Sequence, residues 1–148
     1  METLFATLHV VAAVFIVGPM AILPMTAMRA IRAGQGRQVD VLARSTFVFS
    51  LLSLVVVVFG FGILPFSKYG TTVTTSWVLI SLILYVIALA LSLFGVVPAM
   101  RSAAEVLTAA PSGGAAADTK SSYGRVAMLS GIASLLLVVI VVLMTWKP

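Results

Sequence analysis

Residues 126–146, with the sequence VAMLSGIASLLLVVIVVLMTW, decide the fold, because they contain no Asp, Glu, Lys or Arg. A helix needs about 20 apolar residues to cross about 30 Å of hydrocarbon, and this stretch is long enough. Three more stretches of the same kind are residues 4–28, 46–64 and 77–97. Their Val-rich runs favour strands in water, but an open strand in lipid leaves backbone groups without hydrogen bonds. The sequence therefore predicts an all-α, polytopic membrane protein whose four transmembrane helices form a bundle.

The composition supports a single membrane domain over residues 1–148. Of the 148 residues, 61% are hydrophobic and 9% are charged, whereas a soluble domain has about 45–50% apolar and about 25% charged residues. A globule of this size cannot bury so much apolar surface, so we expect lipid to surround most of it. A soluble enzyme and a nucleic-acid-binding domain are excluded in spite of the net charge of +5. The absence of Cys excludes disulfides and thiolate metal sites.

The basic residues predict the orientation of the helices, because cytoplasmic loops carry an excess of Lys and Arg. The predicted loop 29–45 contains Arg29, Arg32, Arg37 and Arg44, and the predicted loop 98–125 contains Arg101, Lys120 and Arg125. The opposite side has Lys68 and Lys147. We therefore expect both termini outside and both long loops in the cytoplasm of a bacterial inner membrane. We expect the first stretch to be a retained span, because its arginines follow the apolar run, unlike those of a signal peptide.

Small residues at helical spacing are candidates for contacts with a partner helix, because they let two backbones approach closely in lipid. They are Ala88 and Ser92 in the third span and Ala127, Gly131 and Ser134 in the fourth. Packing within the bundle would explain the same pattern. The four arginines of loop 29–45 are candidates for contacts with anionic headgroups or with an acidic partner surface. The alternative for these arginines is a plain topology signal.

His9 is the candidate for chemistry, because it is the one titratable side chain other than Tyr well inside a predicted span. A polar residue at such a depth is a functional candidate, and an imidazole can ligate haem b, bind a quinone carbonyl or relay a proton. The alternatives are a hydrogen bond from His9 to a neighbouring helix or a headgroup, and a contact of His9 with a partner protein. The chain has one His, so a second imidazole ligand would have to come from another subunit.

Glycine and proline predict several local features of the helices. Gly18-Pro19 and Pro24 predict a bend in the first span, and Pro98 predicts a kink where the third helix leaves the bilayer. Gly34-Gln35-Gly36 predicts a break with helix on each side, and Gly60-Phe61-Gly62 is compatible with a close helix crossing. The segment Pro24–Arg29 resembles Pro98–Arg101, which suggests two helical hairpins of the same orientation.

The segment Leu8-His9-Val10-Val11-Ala12-Ala13-Val14-Phe15-Ile16-Val17-Gly18-Pro19 resembles the start of an uncharacterised bacterial family of small predicted integral membrane proteins. Members of that family have four helices, with Leu-His near the start of the first. A basic stretch follows that helix, as Arg29-Ala30-Ile31-Arg32 does here. The family is distantly similar to membrane haem proteins of the copper-resistance D type and the protoporphyrinogen-oxidising J type, in which a helix-one His ligates haem. The resemblance alone implies that His9 would be that ligand.

Three functions are compatible with these features. The first is a non-catalytic accessory or stabilising subunit of a larger cell-envelope complex, such as a lipid-transport or respiratory assembly, which docks through transmembrane helix faces. It requires no cofactor, and its partners would be other membrane subunits and anionic lipids. The second is a haem- or quinone-binding redox protein that uses His9. The third is a minimal small-molecule transporter, which the lack of intramembrane carboxylates disfavours.

Overall fold

The computed structural model describes residues 1–67, 70–109 and 116–146, and within them every regular element is helical. The four long helices are α1 (Glu2–Arg32), α2 (Gly36–Phe66), α3 (Ser76–Ala109) and α4 (Ala116–Trp146). Each is long and apolar enough to cross a membrane. The predicted all-α fold with four membrane-spanning helices is confirmed. The orientation stays a prediction, and two residues that it counts, Lys68 and Lys147, lie outside the described part of the chain.

The helices extend well beyond the predicted spans, so most of the predicted loop 29–45 is helical. The predicted break at Gly34-Gln35-Gly36 is confirmed, because α1 ends at Arg32 and α2 begins at Gly36. Gly34 has a φ of 71°, and its N–H donates to the Ile31 carbonyl while the Gln35 N–H donates to the Ala30 carbonyl. This pair of bonds around a left-handed glycine is a Schellman motif, which satisfies the last carbonyls of α1.

The four helices associate as two pairs. α1 packs along α2, and α3 packs along α4. Contacts between the pairs are concentrated where α1 ends and α2 begins, which we call the arginine end because Arg29 and Arg32 lie there. At this end residues 97–109 of α3 pack against α2, and residues 18–32 of α1 pack against α4. We call the opposite end, where α3 begins and α4 ends, the tryptophan end because it carries Trp77 and Trp146.

The hydrophobic core lies at the arginine end and consists mostly of small side chains. Its buried members are Ala27, Ala30, Ile31, Val39, Ala43, Val96, Ala99, Met100, Ala103, Ala104 and Val126. Small residues allow helix backbones to approach closely, which increases van der Waals packing where lipid offers no hydrophobic driving force between helices. The arginine end is therefore the region that holds the two pairs together.

A π-helical turn precedes a proline in both α1 and α3. In α1 the turn covers Ala13–Val17 and Pro19 follows it, and in α3 the turn covers Leu91–Val96 and Pro98 follows it. Proline has no N–H, and its ring clashes with the carbonyl four residues earlier, so the wider turn accommodates it. π turns thus precede Pro19 and Pro98, where the sequence predicts a bend and a kink, whereas Pro24 lies inside regular α-helix. In the internal repeat, Pro98 therefore corresponds in structure to Pro19, and not to Pro24 as the similarity of Pro24–Arg29 to Pro98–Arg101 suggested.

Candidate functional site

His9 contacts α2 near the tryptophan end of the bundle. Its Nδ1 atom lies 2.7 Å from the backbone carbonyl oxygen of Val56. Because a carbonyl only accepts hydrogen bonds, Nδ1 carries the proton and donates it. In the neutral imidazole, Nε2 then carries the lone pair. His9 thus forms a hydrogen bond to a neighbouring helix, which was one of the alternatives to a haem or quinone role. In this tautomer Nε2 could accept a hydrogen bond.

Two glycines of α2 make room for side chains of α1. A Cβ on Gly60 would lie 3.1 Å from His9 Cε1, and a Cβ on Gly62 would lie 2.7 Å from Phe5 Cδ1. The Phe5 ring also stacks on Phe66, with 5.8 Å between ring centroids and 11° between ring planes. The close crossing that Gly60-Phe61-Gly62 suggested is therefore present, and it seats the imidazole and the phenyl ring of α1 on α2.

Hydroxyl groups of α2 and α3 are buried in the bundle, and two of them meet between these helices. The sequence offers the hydroxyls of Tyr85 and Ser81 but no charged partner for them, and none of these groups was a predicted site residue. Ser53 Oγ donates to the Ser50 carbonyl oxygen at 2.6 Å and lies 2.7 Å from Tyr85 Oη. The hydroxyls of Ser50 and Ser81 are buried without a hydrogen-bond partner. The sequence did hold a signal, because Thr46, Ser50 and Ser53 recur at spacings of four and three, which places them on one helix face.

The small-residue candidates divide into two groups. Ala88 and Ser92 are buried inside the bundle on α3, so they are not available to lipid or to a partner helix, and they serve the internal packing that was the alternative for them. On α4, Gly131 is exposed, and Ala127 and Ser134 are half-buried. These three remain accessible from outside the bundle.

The four arginine candidates have different surroundings, although all four are exposed. Arg32 donates a hydrogen bond to the Tyr123 hydroxyl, and its guanidinium lies 4.8 Å from the Tyr123 ring centroid. Arg44 Nε forms an ion pair with Asp40 at 3.1 Å one turn earlier on α2. Arg37 lines a shallow groove between the start of α2 and the end of α3. Arg29 has no hydrogen bond or ion pair with the described residues.

A cleft of about 330 Å³ lies on the surface between α1 and α4 at the arginine end. Its lining comes from Met25, Met28, Arg29 and Arg32 of α1 and from Tyr123, Ala127, Ser130 and Gly131 of α4. The two helices run in opposite directions, so Arg32 and Tyr123 lie together at the arginine end of the cleft, which we call its mouth. Met25 and Gly131 lie further from that end along the two helices, in what we call the deeper part, and both are exposed. The cleft is cationic at one end and mostly apolar along its walls.

Residues 3–148 match the family described as "Predicted integral membrane protein (DUF2269)". The chain belongs to this family. No curated protein and no solved structure matches the chain.

Membership of this DUF2269 family establishes an integral, multi-pass membrane protein, as the sequence predicted. It assigns no activity, and the distant similarity to membrane haem proteins finds no support in it. Within the described residues, no group of three or more His, Cys, Asp or Glu side chains is placed to hold a metal ion. The candidate site residues that the structure describes are His9, the four arginines and the residues that line the cleft.

Proposed function

We propose that the chain is a non-catalytic accessory subunit of a larger complex in a bacterial inner membrane, such as a lipid-transport or respiratory assembly. It docks on a partner subunit through the exposed face of α1. The observation that carries this proposal is the exposure of the first half of α1, since no residue of Glu2–Ala12 or Ala13–Val17 is buried. This segment packs against α2 but contributes nothing to the core.

The exposed side chains of α1 form a long apolar stripe. Exposed apolar residues recur along it at Leu4, Leu8, Val11, Phe15, Ile22 and Met25. The spacing from Leu4 to Phe15 is three or four residues, which is typical of a helix face that packs against another helix, and seven residues separate Phe15 from Ile22. The Phe15 side chain is 72% exposed and projects from the π turn, so it is the most prominent anchor that this face offers to a partner helix.

Phe94 provides a matched comparison for the docking test. It lies in the π turn of α3, four residues before Pro98, as Phe15 lies four residues before Pro19. Its side chain is 82% exposed, but its turn contains the buried residues Ser92 and Val96 and packs against α4. Phe15 and Phe94 thus occupy equivalent positions in a π turn. The turn around Phe94 has buried residues, and the turn around Phe15 has none.

The experiment places a photo-crosslinking amino acid at position 15 or at position 94 in native membranes. We expect a crosslink to one defined membrane protein from position 15 and crosslinks to lipid alone from position 94. The complex should survive affinity purification, and Phe15→Ala should reduce the stoichiometry of the partner while Phe94→Ala preserves it. Lipid crosslinks alone from both positions, or equal effects of the two alanine variants, would contradict docking through α1.

A redox role is the second candidate, and one observation favours it. The Nδ1–H of His9 donates to a backbone carbonyl, which is the arrangement that orients metal-ligating histidines and leaves Nε2 for the metal. The described residues offer this one imidazole, so a haem would need its second axial ligand from a partner or from another residue type. An absorption spectrum of the purified protein tests this role. A stoichiometric Soret band in the wild type that disappears in His9→Ala would replace the accessory-subunit proposal.

A further inference from the structure

The cleft between α1 and α4 is charged at one end and mostly apolar along its walls, which matches the charged headgroup and the apolar acyl chains of an anionic phospholipid. Arg29, Arg32 and the Tyr123 hydroxyl form its mouth, and Met25 and Gly131 line its deeper part. The distance along α4 from Tyr123 to Gly131 is about 12 Å at 1.5 Å per residue. A phosphate at the mouth would therefore place the first part of an acyl chain beside the exposed backbone of Gly131.

The charges at the mouth favour an anion. Arg32 is held in place by Tyr123 through a hydrogen bond and a cation–π contact. Arg29 lies one turn earlier on α1 and has no acidic partner among the described residues. Asp40, at the start of α2, pairs with Arg44 instead. Arg29 and Arg32 both line this end of the cleft, and a guanidinium group can donate hydrogen bonds of suitable geometry to a phosphate.

We propose that this cleft binds one anionic phospholipid, with the phosphate at Arg29 and Arg32 and an acyl chain along Ala127 and Gly131. The apolar walls argue for a lipid rather than a free anion, because inorganic phosphate would leave them unfilled. The site does not rest on the proposed docking of α1 to a partner, since the isolated chain contains all of its lining residues.

Two pairs of variants separate this site from general attraction between a basic protein and an anionic lipid. Arg29→Gln removes a cation from the mouth, and Arg125→Gln removes an exposed cation outside the lining. Gly131→Leu fills the deeper part, and Gly124→Leu places the same side chain elsewhere on α4. A Cβ at either glycine meets no atom within 4 Å, so neither substitution causes a clash at the Cβ atom, and thermal unfolding of both variants checks that they fold.

The test is native mass spectrometry of the purified chain in a non-ionic detergent, titrated with phosphatidylglycerol or phosphatidylcholine. We expect one phosphatidylglycerol to bind in preference to phosphatidylcholine. Arg29→Gln should weaken this binding about fivefold, in line with about 1 kcal/mol per basic residue near an anionic headgroup. Gly131→Leu should weaken it as well, while Arg125→Gln and Gly124→Leu should bind as the wild type does.

Three results would overturn the proposal. Equal weakening by Arg29→Gln and Arg125→Gln would show that net charge alone attracts the lipid. Unchanged binding by Gly131→Leu would show that no acyl chain enters the cleft. Displacement of phosphatidylglycerol by millimolar inorganic phosphate would show that the arginines form a site for a free anion.

Discussion

The imidazole of His9 and the backbone carbonyl of Val56 join α1 to α2 across 47 positions of sequence, with 2.7 Å between Nδ1 and the oxygen. The contact lies on the apolar part of the bundle, where helices are held mostly by van der Waals packing. Gly60, one turn after Val56, leaves the space that the imidazole ring occupies. This polar contact thus adds to the packing of α1 on α2 in a region that contains no buried residue of α1.

We expect His9→Ala to fold and to lose about 0.6 kcal/mol of stability, the average contribution of one hydrogen bond between membrane helices. The loss is small because Phe5 and the rest of α1 keep their contacts with α2. Thermal unfolding in detergent measures it, and Thr7→Ala is the control, since the Thr7 hydroxyl bonds only to the Thr3 carbonyl of its own helix. A variant that aggregates or fails to insert would show that His9 has a larger structural role.

The contact between Phe5 and Gly62 predicts a compensating pair of substitutions. Gly62→Ala should destabilise the protein by about 1–3 kcal/mol, as overpacking commonly does, because the new Cβ would lie 2.7 Å from the Phe5 ring. Phe5→Ala should remove most of this penalty in the double variant. The measurement is a double-mutant cycle of unfolding free energies, with Gly124→Ala as the control in open space. Additive effects would mean that the ring does not occupy this position.

Gly36 should be the glycine least tolerant of substitution at the arginine end. A Cβ there would lie 2.9 Å from Leu107 Cβ and 3.0 Å from the Ala104 carbonyl oxygen. Since that oxygen belongs to the backbone of α3, it cannot rotate away as a side chain could. We expect Gly36→Ala to lower the unfolding free energy by about 1–3 kcal/mol. A midpoint of thermal unfolding equal to that of the wild type would contradict the close approach of α2 to α3.

Single cysteines test the orientation, because the chain has none of its own. Thr74 and Gln35 are exposed in the described turns at opposite ends of the bundle. With the basic loops in the cytoplasm, Thr74→Cys should react with an impermeant maleimide in intact cells. Gln35→Cys should react only after the membrane is permeabilised. Labelling of both cysteines to the same extent, or in the reverse order, would refute the expected orientation.

The number and position of the helices could be predicted because lipid imposes a strict requirement on length and polarity. Residues 126–146 and the three similar stretches satisfy it, and α1 to α4 include all four. The break at Gly34 was also predictable, since a left-handed C-terminal turn favours glycine. The extension of α3 to Ala109 was predictable as well, since residues 98–110 have a helical composition although they lie beyond the predicted span.

The details of the candidate site could not be predicted from spacing alone. Ala88 and Ser92 have the same small-residue pattern as Ala127 and Gly131, yet the first two are buried and the last is exposed. Periodicity defines a helix face but does not say which neighbour covers it. The cleft depends on the pairing of α1 with α4 near Tyr123, and contacts across 91 positions, such as Arg32 with Tyr123, leave no local signal.

The alanine-rich core at the arginine end is the point about which one helix pair could rotate relative to the other, and we call it the fulcrum. The two helix pairs are joined there, and α3 continues from Ala103 to Trp77 over about 39 Å at 1.5 Å per residue. A rotation of a few degrees at the fulcrum would therefore move the far ends by several ångströms. The cleft lies in the seam between the pairs, directly beside this point. Because the cleft lies close to the fulcrum, a small change in its width would accompany a much larger change in the distance between the two helix pairs at the tryptophan end.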